Sequence, residues 1–355
     1  MAAGQGSHVV LPSMCLAVPT QAQQRGEAHV TLAPGRLDLH THSTFSDGTC
    51  SVPQLIDEAR EQGLSGLAVT DHDTLAHLQE IRALSREVGF PVLAGLEVST
   101  KNPVTGRKVH VLAYNLVPTA DESTPVERVC RYTRTERAAN TLWLAWQVMR
   151  TGYSYQGNTI TVNDVIAAAG PSATLYKQHI MEALTHLSKH DPDYDRIFHE
   201  LFSTKDGLFR RSVGYPDTME AIRAIRESGG VPVLAHPGQM DSWSAVPDMV
   251  GAGLMGIEAY HHAHTPKHVR MAHELAAQYG LFVTGGSDYN GLWGVPTRIG
   301  QYGISVEEAG QPVADLFERD AALCPDAGPA AGESLVDVAV DFMGEYADVF
   351  EELSR

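Results

Sequence analysis

Short apolar runs that end in a metal-capable residue recur along this chain. LDLH (37–40) is the first, followed by the turn THSTFSDG. Val52, Leu55, Ile56 and Ala59 then recur at helical spacing. Ser51 with Gln54 makes a capping-box pattern, Pro53 stands in the first turn and Gly63 ends the helix. GLAVT (66–70) reads as a buried strand that delivers Asp71, His72 and Asp73, and LAHLQEIRALSREVG (75–89) reads as the next helix. PVLAGLEVST (91–100) and KVHVLAYN (108–115) are strands joined by the turn NPVTG. From 121 to about 228 the pattern becomes helical and more polar, and the strand rhythm resumes at VPVLAH (231–236), GIEAY (256–260) and LFVTGGSD (281–288). Strands alternating with helices predict an α/β fold with mostly parallel strands.

The boundaries follow from these shifts. Residues 1–34 read as a flexible N-terminal extension, 35–120 and 229–305 as a barrel, and 121–228 as an inserted helical subdomain. Residues 306–355 read as an acidic C-terminal tail, whose last segment, SLVDVAVDFMGEYADVFEEL, has a helical pattern and no expected part in chemistry.

Composition narrows the function. The chain has 355 residues, 43% hydrophobic and 19% charged, enough to bury a full core. A formal net charge of −17 argues against binding long duplex nucleic acid, which needs dense Lys and Arg, but leaves room for a small phosphorylated substrate. Seventeen histidines and four scattered cysteines without a CxxC pair favour imidazole and carboxylate chemistry in a reducing cytoplasm. No apolar run is long enough for a membrane span, and the start has no basic segment of a signal peptide.

The placement of the polar residues carries the chemistry. In a strand, side chains at i and i+2 point the same way, so His40 and His42 can reach one ion. In barrel-like α/β folds the carboxyl ends of the strands form one face, where active sites sit. His40, His42, Asp47, His72, Glu97, His110, His236 and Asp288 would converge there from separate parts of the chain. Gathered without cations, such groups would face one another unpaired, which is costly. Nitrogen and carboxylate donors suit zinc, manganese or iron, and eight ligands suit two or three divalent ions. Such ions can hold a hydroxide for hydrolysis at phosphorus or clamp phosphoryl oxygens, with amide or ester hydrolysis as the chemical alternative.

The order HTHSTFSDG, TDHD, GLEVS, HVLAY, AHPG, GIEAYH and GSDYNG resembles the PHP (polymerase and histidinol phosphatase) family of metal-dependent phosphoesterases, over about residues 36–120 and 229–295. The helical insert resembles that of the nucleotide phosphatase-like branch. The resemblance implies a distorted (β/α)7 TIM-like barrel, the PHP fold, with the insert over its mouth. It implies that His40, His42, Glu97 and Asp288 hold a first ion, that Glu97, His110 and His236 hold a second, and that Asp47 and His72 belong to a third. The family places a His two residues after the last Asp. Here that position is Asn290, a weaker ligand, which puts the third ion in question. Asp71 and Asp73 are expected as orienting or turn residues rather than ligands.

Arg134 and Arg137 lie nearly one helical turn apart and suit phosphate, with a solvated charged face as the alternative. His261 could contact phosphate or protonate the leaving oxygen. His179 is expected as a substrate contact or a packed core residue, and Tyr289 and Trp293, flanking the last motif, as structural aromatics, with stacking on a base as the alternative. The expected activity is hydrolysis of a phosphomonoester of a nucleotide, AMP-like or a nucleoside 3′,5′-bisphosphate, by a metal-activated hydroxide. The alternatives are 5′-3′ trimming of short RNA and a non-catalytic nucleotide- or metal-sensing module.

Overall fold

The computed structural model describes residues 32–323. The N-terminal extension up to residue 31 and the helical pattern at 334–353 lie outside the described residues. Eight strands make one sheet: β1 (Arg36–Asp38), β2 (Gly66–His72), β3 (Val92–Lys101), β4 (Lys108–Tyr114), β5 (Val231–Leu234), β6 (Gly256–Tyr260), β7 (Phe282–Gly285) and the two-residue β8 (Ile304–Ser305). They lie in the order β7-β6-β5-β4-β3-β2-β1-β8. Neighbours are parallel except at β4, which runs against both β3 and β5, and at β8. The turn after β3 is too short for a crossover, so β4 returns as a hairpin. Asn102 sets that turn, its Oδ1 accepting from the Val104 and Thr105 amides at 2.9 and 3.0 Å.

The sheet closes into a barrel just beyond β1 and β7. Leu39 donates its N–H to Gly285 O at 3.0 Å and Asp288 donates to His40 O at 2.9 Å. Gly286 is required at this seam, because a Cβ there would stand 2.3 Å from the His40 Cβ.

Period-two alternation divides the strand residues between two environments. Outward positions such as Val69, Leu96, Val98, Val111 and Ile257 pack against α1 (Val52–Glu61) and α2 (Leu78–Val88) and the later barrel helices. Inward positions begin apolar and end polar: Ala68 leads through Thr70 to His72 on β2, and Leu93 through Gly95 to Glu97 on β3. On antiparallel β4 the order reverses, so His110 lies in the strand's first half. The barrel therefore has an apolar floor and a polar mouth.

Four helices, α3 (Pro125–Thr151), α4 (Val162–Ala169), α5 (Lys177–Thr185) and α6 (Pro192–Phe202), share a core of their own around Leu144, Val148, Ile180, Leu184 and Ile197. Residues 218–228, expected within the insert, instead include α7 (Thr218–Glu227), whose Ala221, Ile222 and Ile225 pack with the barrel's outer layer. α8 (Pro237–Met240), α9 (Val246–Ala252) and α10 (Pro266–Tyr279) follow β5 and β6. The segment expected as a tail from 306 opens with α11 (Val306–Ala322), kinked at Gly310. Its Val313, Leu316 and Phe317 close the apolar floor, and Asp320 forms a buried ion pair with Arg82 at 2.7 Å.

Candidate metal centre

All eight residues singled out as ligands meet at the barrel mouth. His42 Nε2 lies 3.2 Å from His40 Nε2, 3.2 Å from Glu97 Oε2 and 3.1 Å from Asp288 Oδ1. His40 Nε2 lies 3.3 Å from the same Glu97 oxygen and 3.6 Å from the same Asp288 oxygen. Bonds of about 2.1 Å from a tetrahedral ion set its donors about 3.4 Å apart. These four donors therefore fit one divalent ion.

The other Glu97 oxygen, Oε1, faces His110 Nδ1 at 2.7 Å and His236 Nε2 at 2.8 Å. His72 Nδ1 is 3.3 Å from Glu97 Oε2. Asp47 Oδ1 stands 3.9 Å from His42 Nδ1, and donor atoms of His42, Asp47 and His72 form a further group within 4.8 Å of one another. The buried Nδ1 atoms of His42, His72 and His236 have no hydrogen-bond partner. Buried imidazole nitrogens left so are what a set of cation ligands looks like without its cations. The donor set of imidazole and carboxylate, without thiolate, fits manganese, zinc or iron.

The electrostatics agree. Burial alone would lower the pKa of His42, but hydrogen bonds to Asp288 and Glu97 carry it up to about 10. Burial opposes His40 too, and the charges of Glu97, Glu258 and Asp288 raise it well above the ordinary imidazole range. Burial works against ionised Glu97 as well, yet the surrounding histidines hold its carboxyl well below the usual range.

Two of the ligand-type residues have unusual backbone. His236 at φ 24° and Asp288 at φ 51° both occupy positive-φ conformations that side-chain-bearing residues seldom adopt. Glu258, in the middle of β6, supports the first: its Oε2 accepts the His236 N–H at 2.7 Å while its Oε1 accepts from His40 Nδ1 at 3.2 Å. Asp38 supports the second by accepting the Ser287 N–H at 2.9 Å and the Ser287 hydroxyl at 2.6 Å. Sequence reasoning passed over both carboxylates. Their signal was present: an acid inside an otherwise apolar strand, in GIEAY and in RLDLH.

Asp71 and Asp73 act as expected, away from the donor clusters. Asp71 accepts from the Ser43 amide at 2.8 Å and from the Ser46 hydroxyl at 2.5 Å, fixing the turn that carries Asp47. Asp73 accepts the Ser99 N–H at 2.8 Å. Asn290 donates its Nδ2 to Asp47 Oδ1 at 3.3 Å, so the residue at the unusual position points at the expected third site.

The residues expected on the substrate side lie around the mouth. Arg137 donates to Asp73 at 2.9 Å and to Ser99 Oγ at 2.8 Å and stacks over Tyr176 at 4.9 Å. Arg134 is paired with the Glu122 carboxylate at 2.6 and 2.7 Å and with Asp73 O at 2.9 Å. Both arginines tie α3 to the turn after β2. His261 Nδ1 accepts the Ala263 N–H at 3.1 Å, which leaves Nε2–H, 3.3 Å from Asp288 Oδ2, as a donor. Burial lowers its pKa to about 4, so at neutral pH it is a neutral donor rather than a stored proton. His179 is fully buried on α5, its Nδ1 accepting the Tyr176 N–H at 3.1 Å. No helix among the described residues is long and apolar enough to cross a membrane.

Known proteins share this architecture. The PHP domain family matches residues 38–200. A phosphoribosyl 1,2-cyclic phosphate 1,2-diphosphodiesterase of Eggerthella lenta is 40% identical over 265 residues, covering 74% of this chain and 97% of that protein. A 3′,5′-nucleoside bisphosphate phosphatase of Chromobacterium violaceum is 26% identical over 72% of this chain and 87% of its own length. A solved structure from Bifidobacterium adolescentis, described as a metal-dependent phosphoesterase, superposes with a TM-score of 0.66 at 28% identity, covering 85% of this chain and 98% of its own. With the barrel, the donor clusters and these relatives together, the chain belongs to the PHP-domain family of metal-dependent phosphoesterases.

Proposed function

We propose that this phosphoesterase removes phosphate from a small phosphorylated ribose compound, a nucleotide monoester (AMP-like or a nucleoside 3′,5′-bisphosphate) being the first substrate to test. The observation that carries the reading is the tetrahedron-edge spacing of His40, His42, Glu97 and Asp288. In it, those four residues hold one divalent ion, Glu97 with His110 and His236 holds a second, and Asp47 and His72 take part in a third. Bound ions there would acidify a water and offset charge on the phosphoryl oxygens.

The protein's own groups have separate tasks. Glu97 presents one oxygen to each of two donor clusters, so it couples them rigidly. Glu258 keeps the proton of His40 on Nδ1 and leaves Nε2 free to ligate. His261, whose Nε2–H faces the Asp288 carboxylate, is the group placed to contact the phosphoryl oxygens or the leaving oxygen, and Arg137, paired with Asp73, adds positive charge from the insert. The acidic chain and a mouth bounded by the insert favour a small substrate over long nucleic acid.

A second reading concerns the ester rather than the site. The relative at 40% identity is named for a cyclic phosphodiester, which favours a diester of phosphoribose as substrate. An exoribonuclease of Haemophilus influenzae, 27% identical over 72% of this chain, keeps short RNA on the same panel. The experiment measures bound manganese, zinc and iron. It then follows phosphate release from AMP and a nucleoside 3′,5′-bisphosphate, ring opening of a cyclic phosphate of phosphoribose to its monoester, and release of mononucleotides from a short RNA. Turnover abolished by His42→Ala supports the reading. Nucleotides bound without turnover of any ester, under each metal, overturn it in favour of a sensing module.

A further inference from the structure

A cavity of about 400 Å³ lies beside Asp47. Ser46 and Gly48, the chain neighbours of Asp47, form one wall, His179 on α5 a second, and Leu292 with Trp293 a third. The same three segments supply the Asp47 carboxylate with its setting: Gln178 donates to Oδ2 at 3.1 Å and Asn290 to Oδ1 at 3.3 Å. A phosphate bound near Asp47 and His72 would thus leave the rest of its molecule next to this cavity. The volume falls in the range of small-molecule sites.

The chemistry of the wall is specific. His179 is fully buried, and its Nδ1 accepts the Tyr176 N–H at 3.1 Å. An imidazole whose Nδ1 accepts carries its proton on Nε2 when neutral. Burial, the dominant influence, holds this pKa down to about 4, so the ring is neutral at physiological pH. Nε2–H has no hydrogen-bond partner, an unsatisfied donor in a residue lining the cavity. Beside it stands Trp293, partly exposed, whose ring meets that of His179 edge to face with centroids 5.3 Å apart. A flat π surface next to a fixed N–H donor is complementary to an aromatic heterocycle bearing a ring nitrogen or carbonyl oxygen.

We infer that this cavity receives the base of a nucleotide substrate, stacked at Trp293 and accepting a hydrogen bond from His179 Nε2. The inference rests on the phosphoesterase reading above and adds to it the group that sets specificity. A sugar phosphate without a base has nothing to fill the cavity.

The test uses full-length, metal-loaded protein and two phosphomonoesters that differ only in the base, AMP and ribose 5-phosphate, with relative affinities taken from the ratio of their kcat/KM values. AMP is expected to bind at least about fivefold more tightly, the lower bound for stacking one base on an aromatic side chain. Trp293→Ala, at a partly exposed position, and His179→Phe, which keeps the buried volume and removes the Nε2 donor together with the Nδ1 acceptor of the Tyr176 N–H, are each expected to bring that ratio toward one. Equal affinities in the unaltered protein, or a ratio that survives Trp293→Ala, overturn the base pocket. If that happens while another phosphate ester is still hydrolysed, only the pocket falls. If no ester is hydrolysed under any metal, the functional reading falls with it.

Discussion

Glu258 Oε1 lies 3.2 Å from His40 Nδ1, so a carboxylate deep in β6 sets which nitrogen of the first histidine faces the donor cluster. Both side chains are completely buried, which leaves neither an alternative partner in water. Glu258→Gln keeps the shape and loses the charge that holds the Nδ1 proton. Metal affinity is expected to fall about 10–100-fold, with the fold retained. Titration of metal-free protein with Mn²⁺ or Zn²⁺ checks this, and unchanged affinity would remove Glu258 from the account.

His264 holds the turn that follows His236 in place. Its Nδ1–H donates to Ala259 O at 2.7 Å, and its Nε2 accepts the Gly238 N–H at 3.0 Å, clamping the turn after His236 to β6. A Cβ at Gly238 would come within 2.6 Å of the His264 ring, so the turn needs glycine there. His264→Ala frees a turn whose first residue is held at φ 24°. Metal bound per chain is expected to drop, with affinity at least about tenfold weaker. Partial recovery in His264→Gln, which restores an acceptor, would distinguish positioning from bulk packing. Equal loss in both variants would argue for packing alone.

Asn290 offers the clearest gain-of-ligand experiment. Its amide points at Asp47 from the position where the family places histidine. Asn290→His supplies an imidazole beside Asp47 and His72, and metal analysis is expected to show more ion per chain. Unchanged stoichiometry would count against a third site.

The pH dependence of the metal-free protein has a definite sign. The His42 pKa rises from 6.5 to about 10 on folding, so its ionic stabilisation is complete below pH 6.5 and is lost as pH climbs through about 10. Glu97 and Asp288 are shifted down, so their share is present above the ordinary carboxylate range and is lost on acidification. Melting of metal-free protein is therefore expected to peak in mildly acidic buffer and to fall toward pH 9. Metal-loaded protein should gain stability between pH 5 and about pH 8, because protons compete with cations for the same rings. Parallel melting curves with and without metal test this. A metal-free protein that becomes steadily more stable up to pH 9 would contradict it.

The barrel floor makes a separate prediction. Arg82 and Asp320 are 1% and 2% exposed and paired at 2.7 Å, with Asp320 also accepting the Ala94 N–H at 3.0 Å. Asp320→Ala leaves the guanidinium buried without its partner and is expected to destabilise by about 3–5 kcal/mol. Denaturant unfolding measures it. A loss under 1 kcal/mol would mean that α11 is not integral to the barrel.

Much of the site is legible in the sequence. His72 was readable because it closely follows the apolar run GLAVT, and Glu97 because it is the one acid within the apolar stretch VLAGLEV, where alternation decides which way each faces. His110 was found for a partly different reason: it lies early in a strand whose direction is reversed, so its nearness to Glu97 is a matter of pairing. Arg134 illustrates the limit. Its helical spacing with Arg137 was right, but Glu122, twelve positions earlier, claims its guanidinium, and no local pattern predicts that.

What the chain determined by itself, then, was the inventory of donors, the β/α rhythm and the helical character of the stretch from 121 to about 228, because apolar periodicity and capping act within a few residues. The closure of β1 on the segment after β7, the helix beneath the floor and the buried supports Asp38 and Glu258 were decided only in three dimensions. Each depends on groups brought together from far along the polymer: Asp38 meets Ser287 across 249 positions, and Glu258 meets His40 across 218. Burial then makes those meetings obligatory, since a carboxylate removed from water has to find donors wherever the fold supplies them.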